Sequence, residues 1–283
     1  MNYDQLFSFV AFADHLNFTR AARALHLSQP ALFAQIKKLG EAVGRPLYRK
    51  RGRALALTAE GERLAAFGRE ARDRGDAVLA EIRGAALTGP VILASGQGAF
   101  QYLLGDAIRR FPKEKWSLRL VTANAEGAVE LVASARAHVG VVARDAPPPD
   151  LEATRLCVVR QQLIVPPSHR LARRTRARLE DLDGERLVVA PEGSPHRTML
   201  AQALRAVGVA WEVAVEATGW ELMMQFARYG LGLAVVNDFC APPPGTVAVP
   251  LAGPPPIAYW AIARPGPRSA GVEALRRLVI ERV

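Results

Sequence analysis

The chain has 283 residues, more than one ordinary hydrophobic core organises, so two or three domains are expected. Half of its residues are hydrophobic and 23% are charged, which excludes a disordered chain, and a formal net charge of +10 favours polyanionic partners. Cys157 and Cys240 stand alone, which excludes a disulfide framework and a paired-cysteine metal site. They read as buried or free thiols, with a redox pair as the lesser alternative. The first residues carry Asp4, Asp14 and His15 and lack both a basic leader and a small-residue cleavage site, and no apolar run is long enough to span a membrane. The expectation is a soluble, cytoplasmic protein without a membrane partner or a cofactor.

The first predicted helix buries Leu6, Phe9, Val10 and Ala13 at helical spacing. A second, capped by Asn17 or Thr19, buries Ala21, Ala22 and Leu25, and the chain then breaks at His26-Leu27. Ser28 caps a third helix from about Gln29 to Leu39, with Pro30 in its first turn and Leu32, Ile36 and Leu39 at core spacing. The other face of this helix offers Gln29, Phe33, Gln35, Lys37 and Lys38, residues suited to base edges and phosphates. Two short strands follow, Leu47-Tyr48 and Leu55 to Leu57. Between them Arg49, Lys50, Arg51 and Arg53 surround a turn at Gly52. Helix, tight break, exposed polar helix and basic hairpin form a winged helix-turn-helix whose partner is double-stranded DNA. The bland alternative is a small helical domain with a solvated basic face. Residues 1–60 carry nine Lys/Arg against four acids, about half of the surplus charge of the chain.

Phe18-Thr19, Ala21-Ala22, Leu25, "LSQPALFAQIKKL" and "LALTAEGE" resemble the LysR-type transcriptional regulators. Phe33 and Ala34 stand where that family commonly shows Ser and Arg, and Gly40 where it has Glu, so operator preference is this chain's own. The DNA-facing set on this reading is Thr19, Ser28, Gln29, Pro30, Phe33, Gln35, Lys37, Lys38, Arg49, Lys50, Arg51 and Arg53, within residues 1–58.

Residues 59–88 are expected to be a long linker helix. Leu64, Gly68, Ala71, Gly75, Val78, Ile82 and Ala85 alternate spacings of four and three, a heptad seam with small residues in its middle. Either two such helices meet or one amphipathic helix packs on its own domain. The resemblance implies the former, a homodimer or homotetramer that presents two recognition helices to a two-fold operator.

From Gly89 strands and helices alternate, which predicts parallel sheets flanked by helices. Strands are expected in "PVILAS", "WSLRLVT", "HVGVVA", "QLIVPP", "RLVVA", "WEVAVE", "GLAVV" and "IAYWAIA". Helices are expected over residues 99–111, 125–136, 196–207, 220–229 and 271–282. Two lobes follow, one of residues 89–160 and 265–283 and one of 161–264, with crossovers near Arg160 and Arg264. This fits the periplasmic-binding-protein-like effector domain that the resemblance implies. The fold class is thus α+β multidomain: winged helix-turn-helix, long linker helix and a two-lobed α/β effector domain.

Ligands of open α/β sheets bind at the carboxyl ends of strands. The residues there are Ser95, Gln97 and Gly98, Thr122 and Asn124, Ser194, Pro195 and His196, Thr218, and Asn237 and Phe239. Helix starts and hydroxyls suit a small anionic effector; each Ser or Thr alone reads first as a cap, several on one rim point to a ligand, and His196-Arg197 reads nearly as well as a solvated helix start. Catalytic signatures do not form. Gly96-Gln-Gly98 lacks the third glycine and the ribose-binding acid, Ser95 is not in a GxSxG elbow, and the histidines are scattered. The basic run 169–178 reads as a solvated loop or, less simply, a secondary contact to DNA or an acidic partner. The sequence therefore describes a non-enzymatic regulator responding to a small-molecule effector. The alternative is a ligand-binding or catalytic α/β domain fused to a basic module.

Overall fold

The computed structural model describes residues 2–52, 54–82, 89–114 and 116–281. Arg53 and Ala85, both named above, lie outside the described residues.

Three helices build the first core: α1 (Tyr3–His15), α2 (Phe18–Ala24) and α3 (Gln29–Val43). Asn2 and Asn17 cap the first two through their side-chain oxygens, and Ser28 caps the third by accepting from the Ala31 N–H at 3.3 Å. Phe9, Phe12, Ala21, Ala22, Leu32, Ile36 and Leu39 close the core. The hairpin of β1 (Tyr48–Arg51) and β2 (Ala54–Leu57) is antiparallel, pairing Tyr48 with Leu57 and Arg51 with Ala54. Gly52, with φ of 63°, supplies the left-handed residue of its turn.

Helix α4 (Ala59–Ile82) starts at the root of that hairpin. Thr58 Oγ1 donates to the Pro46 carbonyl at 2.7 Å and accepts from the Gly61 N–H at 3.0 Å. Gly61 is forced by proximity, because a Cβ there would sit 1.9 Å from the Leu47 carbonyl oxygen. Gly68 is also spoken for inside the chain: its Cβ would meet Val10 at 2.5 Å and Leu6 at 3.0 Å, both on α1. The expected small-residue seam is therefore divided. Its Gly68 end packs on the chain's own domain, while Gly75 faces open space and Val78 and Ile82 are 53% and 75% exposed.

The next sheet has the order β4-β3-β5-β13-β6, made of β3 (Val91–Ser95), β4 (Leu118–Thr122), β5 (Val139–Ala143), β6 (Glu152–Val159) and β13 (Ile257–Ala263). Helices α5 (Gln97–Tyr102), α6 (Gly105–Arg110) and α7 (Ala125–Ala133) belong to it, as does the final helix α10 (Ala270–Glu281). The helix expected over 99–111 is thus two short ones, interrupted at Leu103-Leu104 just before Gly105, a poor helix former.

The second sheet has the order β10-β9-β11-β7-β12-β8. Its strands are β7 (Gln161–Val165), β8 (Ala177–Arg178), β9 (Glu185–Val189), β10 (Trp211–Glu216), β11 (Leu233–Asn237) and β12 (Val247–Ala252). Helices α8 (Pro195–Ala206) and α9 (Trp220–Arg228) cover its two faces. Successive residues go to opposite faces, as strand geometry requires: Leu163, Leu187 and Val235 to one core, Ile164, Val188 and Val236 to the other.

Two expectations are corrected here. The sheets are mixed, since β13 runs antiparallel to β5 and β6, and β7 antiparallel to β11 and β12. The second crossover falls at residues 253–256 rather than near Arg264, so strand Ile257–Ala263 belongs to the first lobe. The first crossover is the single residue Arg160 between β6 and β7. The basic run 169–178 is anchored rather than a free loop: Leu171 and Ala177 are buried, β8 pairs with β12, and Arg170 reaches Glu185 at 2.9 Å.

Candidate functional site

The exposed face of α3 carries Gln29, Pro30, Phe33, Lys37 and Lys38. His26, with φ of 55°, makes the sharp turn that points α3 away from α2. Gln29 is steadied by Thr19, whose hydroxyl donates to its Oε1 at 3.1 Å. Phe33 is 47% exposed and leans on Phe18, with ring centroids 5.5 Å apart; Phe18 in turn packs on Phe12 and Tyr48. An apolar ring on this face suits the methyl group of thymine. Arg49, Lys50 and Arg51 stand exposed on β1 beside this face, and a groove lined by Phe33, Lys37, Arg45, Tyr48, Arg49 and Lys50 joins the two.

Gln35 leaves the set. It is half-buried and accepts a hydrogen bond from the buried Ser8 hydroxyl of α1. The signal was present in the sequence, because Gln35 lies three residues from Leu32 and four from Leu39, on the core stripe.

At the junction of the two lobes the predicted residues divide. Ser95 is fully buried and its hydroxyl donates to the Val141 carbonyl at 2.7 Å, so it braces β3 against β5. Asn124 caps α7 by accepting from Gly127 N–H at 2.8 Å, and Ser194 caps α8 by accepting from Arg197 N–H at 3.4 Å. Thr122, Pro195 and Thr218 are exposed. Gln97 and Gly98 of the first lobe face Gly219 and Trp220 of the second. A Cβ on Gly98 would lie 2.6 Å from the Trp220 indole nitrogen.

Tyr102, Gln161, Gln162, Glu221 and Tyr259, which the sequence did not single out, complete this junction with the expected His196, Asn237 and Phe239. Tyr102 Oη donates to Glu221 Oε1 at 2.6 Å, a bond from one lobe to the other. Burial, then that bond and charge, push the Tyr102 phenol upward. A polar chain runs beneath it. His196 Nε2 lies 3.1 Å from Gln161 Oε1, Gln161 Nε2 donates to Asn237 Oδ1 at 2.9 Å, and Asn237 Nδ2 donates to Tyr259 Oη at 3.2 Å. Gln162 ties the strand end by donating to the carbonyls of Cys240 and Asn237. His196 packs edge-on against Trp220 at 4.6 Å, and Phe239 sits between Tyr102 and Tyr259. Burial lowers the His196 pKa to about 4, so the ring is neutral, and its Nδ1 has no hydrogen-bond partner among the described residues. The hint in the sequence was Gln161-Gln162, two amides at the start of an otherwise apolar strand.

Comparison with known proteins follows this division of the chain. The bacterial regulatory helix-turn-helix model of the lysR family matches residues 3–62, and the LysR substrate binding domain matches 84–283. A RuBisCO operon transcriptional regulator of Allochromatium vinosum is 31% identical over 82% of this chain and 78% of its own. A full-length OxyR variant from Pseudomonas aeruginosa superposes with a TM-score of 0.76 at 20% identity, covering 99% of this chain and 94% of that one. A full-length CbnR solved with its target DNA superposes at 0.60 and 21% identity over 99% of both chains. With an exposed recognition helix, a basic wing and a two-lobed domain each matched in place, the chain belongs to the LysR family of DNA-binding transcriptional regulators.

Proposed function

We propose that this regulator reads its operator with Gln29, Pro30, Phe33, Lys37 and Lys38 in the major groove and grips flanking phosphates with Arg49, Lys50, Arg51 and Arg53. The observation that carries the reading is the single exposed surface formed by that face of α3 and the basic strand β1. Two copies are needed to meet a two-fold operator. The stripe Phe67, Val78, Leu79 and Ile82 on α4, exposed by 46% to 75%, is the face a second copy would cover to give a dimer or, by pairing dimers, a tetramer. Among the described residues no helix is long and apolar enough to cross a membrane. The relative from Allochromatium vinosum is named as a transcriptional regulator. A cytoplasmic, non-catalytic role is part of the proposal.

The effector in this reading is a small anion taken between the lobes. At the start of the twelve-residue helix α8, Pro195 has no N–H and those of Arg197 and Thr198 go to Ser194, which leaves the His196 N–H for a ligand. Entry between the lobes requires the Tyr102–Glu221 bridge that ties them to open, and the Glu221 carboxylate opposes an anion beside it. Closing or opening around a ligand then shifts a pre-existing balance of lobe arrangements.

Binding to duplex DNA across a salt series tests the DNA half. Arg51→Ala should weaken specific and non-specific duplexes alike and lower the salt slope by about one. Gln29→Ala should relax discrimination at one operator position by about 1–3 kcal/mol. Base-specific loss for Arg51→Ala, or unchanged discrimination for Gln29→Ala, contradicts these roles. Calorimetry with a panel of carboxylates tests the other half: Ser194→Ala should weaken, and Glu221→Gln strengthen, binding of any carboxylate that registers. Binding confined to uncharged compounds removes the anion while leaving the DNA surface intact.

A further inference from the structure

Among the described residues Arg69 is the charged side chain the fold buries, at 5% exposure. A buried guanidinium is tolerated only where its N–H groups meet acceptors. Nε and Nη2 donate to Asp14 Oδ1 at 3.0 and 2.7 Å, and Nη1 donates to the Ser134 carbonyl at 2.7 Å. Asp14 lies in the last turn of α1, in the DNA-binding domain. Ser134 closes α7, in the first lobe of the effector domain. One side chain on the linker helix thus bonds to both domains.

Its neighbours hold α4 in the same place. Gly68 rests on Leu6 and Val10 of α1. One turn on, Asp73 lies 3.2 Å from His138 Nε2, while His138 Nδ1 accepts from the Ile92 N–H at 2.9 Å. Arg264 donates to the carbonyls of Val132 and Ala137, at the end of α7 and just beyond it, and approaches Glu70 at 4.0 Å. The turn after α7 is tight. Ala135 is left-handed with φ of 59°, and the N–H groups of Arg136 and Ala137 both donate to the Leu131 carbonyl. Helix α7 itself is nine residues long and is capped by Asn124, on the rim where β4 ends. A displacement of α7 from that rim therefore arrives at Ser134, and through Arg69 at Asp14.

We propose that Arg69 couples the effector domain to the DNA-binding domain within one protomer, by joining the end of α7 to the end of α1. Each domain biases one junction, which is the physical requirement for coupling between separate sites. The coupling goes beyond the DNA-reading and effector assignments and depends on neither, because it can be tested without operator or effector.

The experiment is hydrogen exchange on the full chain, read at the amides of α1 residues 9–16 and at α7. Asn124→Ala removes the α7 cap; if α7 protection does not move, Ala128→Gly in its middle supplies the perturbation. In the parent background this should raise exchange in residues 9–16 by about two- to thirtyfold, the range such couplings span. In Arg69→Met and Arg69→Lys backgrounds the same perturbation should change those amides less than about twofold. The lysine variant keeps the charge without the fork that reaches two acceptors, so it also serves if the methionine variant folds poorly. Asp14→Asn should behave as Arg69→Lys does. Equal increments in every background would show that Arg69 is only a structural brace. No increment in the parent while α7 frays would overturn the coupling altogether.

Discussion

His196 is neutral because burial disfavours the imidazolium, and its pKa falls from 6.5 to about 4. Between those two values the unfolded chain binds the proton and the folded chain does not, so stability rises with pH across that window. The contribution should be complete above about pH 6.5 and decline toward pH 4, by up to about 2–3 kcal/mol. Urea unfolding at several pH values checks this. His196→Gln should flatten the acid limb of the profile, and an unchanged limb would mean that other groups govern it. The same burial pushes the Cys240 thiol up to about 12, which keeps it from acting as a thiolate. Residue identity was readable on α3, where Gln29, Phe33 and Lys37 follow one face. It was not readable for Ser95 or Ser194, because a hydroxyl that faces a ligand and one that bonds a carbonyl or caps a helix are the same letter.

At the scale of elements, α4 shows how one pattern serves two partners. Gly68→Leu should strain the α1–α4 contact and destabilise the DNA-binding domain by about 1–3 kcal/mol, whatever the oligomeric state. Ile82→Glu, at a position 75% exposed, should leave stability near that of the parent and weaken self-association. Thermal unfolding and sedimentation of the two variants separate the effects; a Gly68→Leu protein as stable as the parent would contradict the contact. The spacing of four and three residues was legible, but periodicity records only that a stripe is buried. Whether α1 or a second copy buries it is decided by tertiary placement. Elsewhere, β12 was hidden because Pro250 interrupts its apolar run, and β6 because Glu152 and Arg155 break the apolar pattern of an eight-residue strand that follows a proline-rich loop.

In the whole molecule the two lobes meet through Trp220 on Gly98 and Tyr102 on Glu221. Gly98→Ala should push the indole away and loosen that meeting by about 1–3 kcal/mol. Hydrogen exchange should then rise in residues 97–102 and 219–224 while β3, β5, β7 and β11 stay protected. Equal protection of parent and variant would mean that Trp220 turns aside at no cost. Alternating strands and helices announced two lobes, yet alternation alone could not reveal that β13 returns to the first sheet, because a strand's letters do not name its neighbour.

That return governs when each lobe can be finished during synthesis. Residues 161–252 hold every strand of the second sheet in one uninterrupted stretch, so this lobe can complete itself as soon as it leaves the ribosome. The first lobe cannot. Its order β4-β3-β5-β13-β6 puts Ile257–Ala263 between two strands made about a hundred residues earlier. Until those last strand residues emerge, β5 has one open edge and β6, which pairs with β13 alone among the described strands, lies outside the sheet, and a chain cut short before Ile257 leaves both open to neighbouring chains.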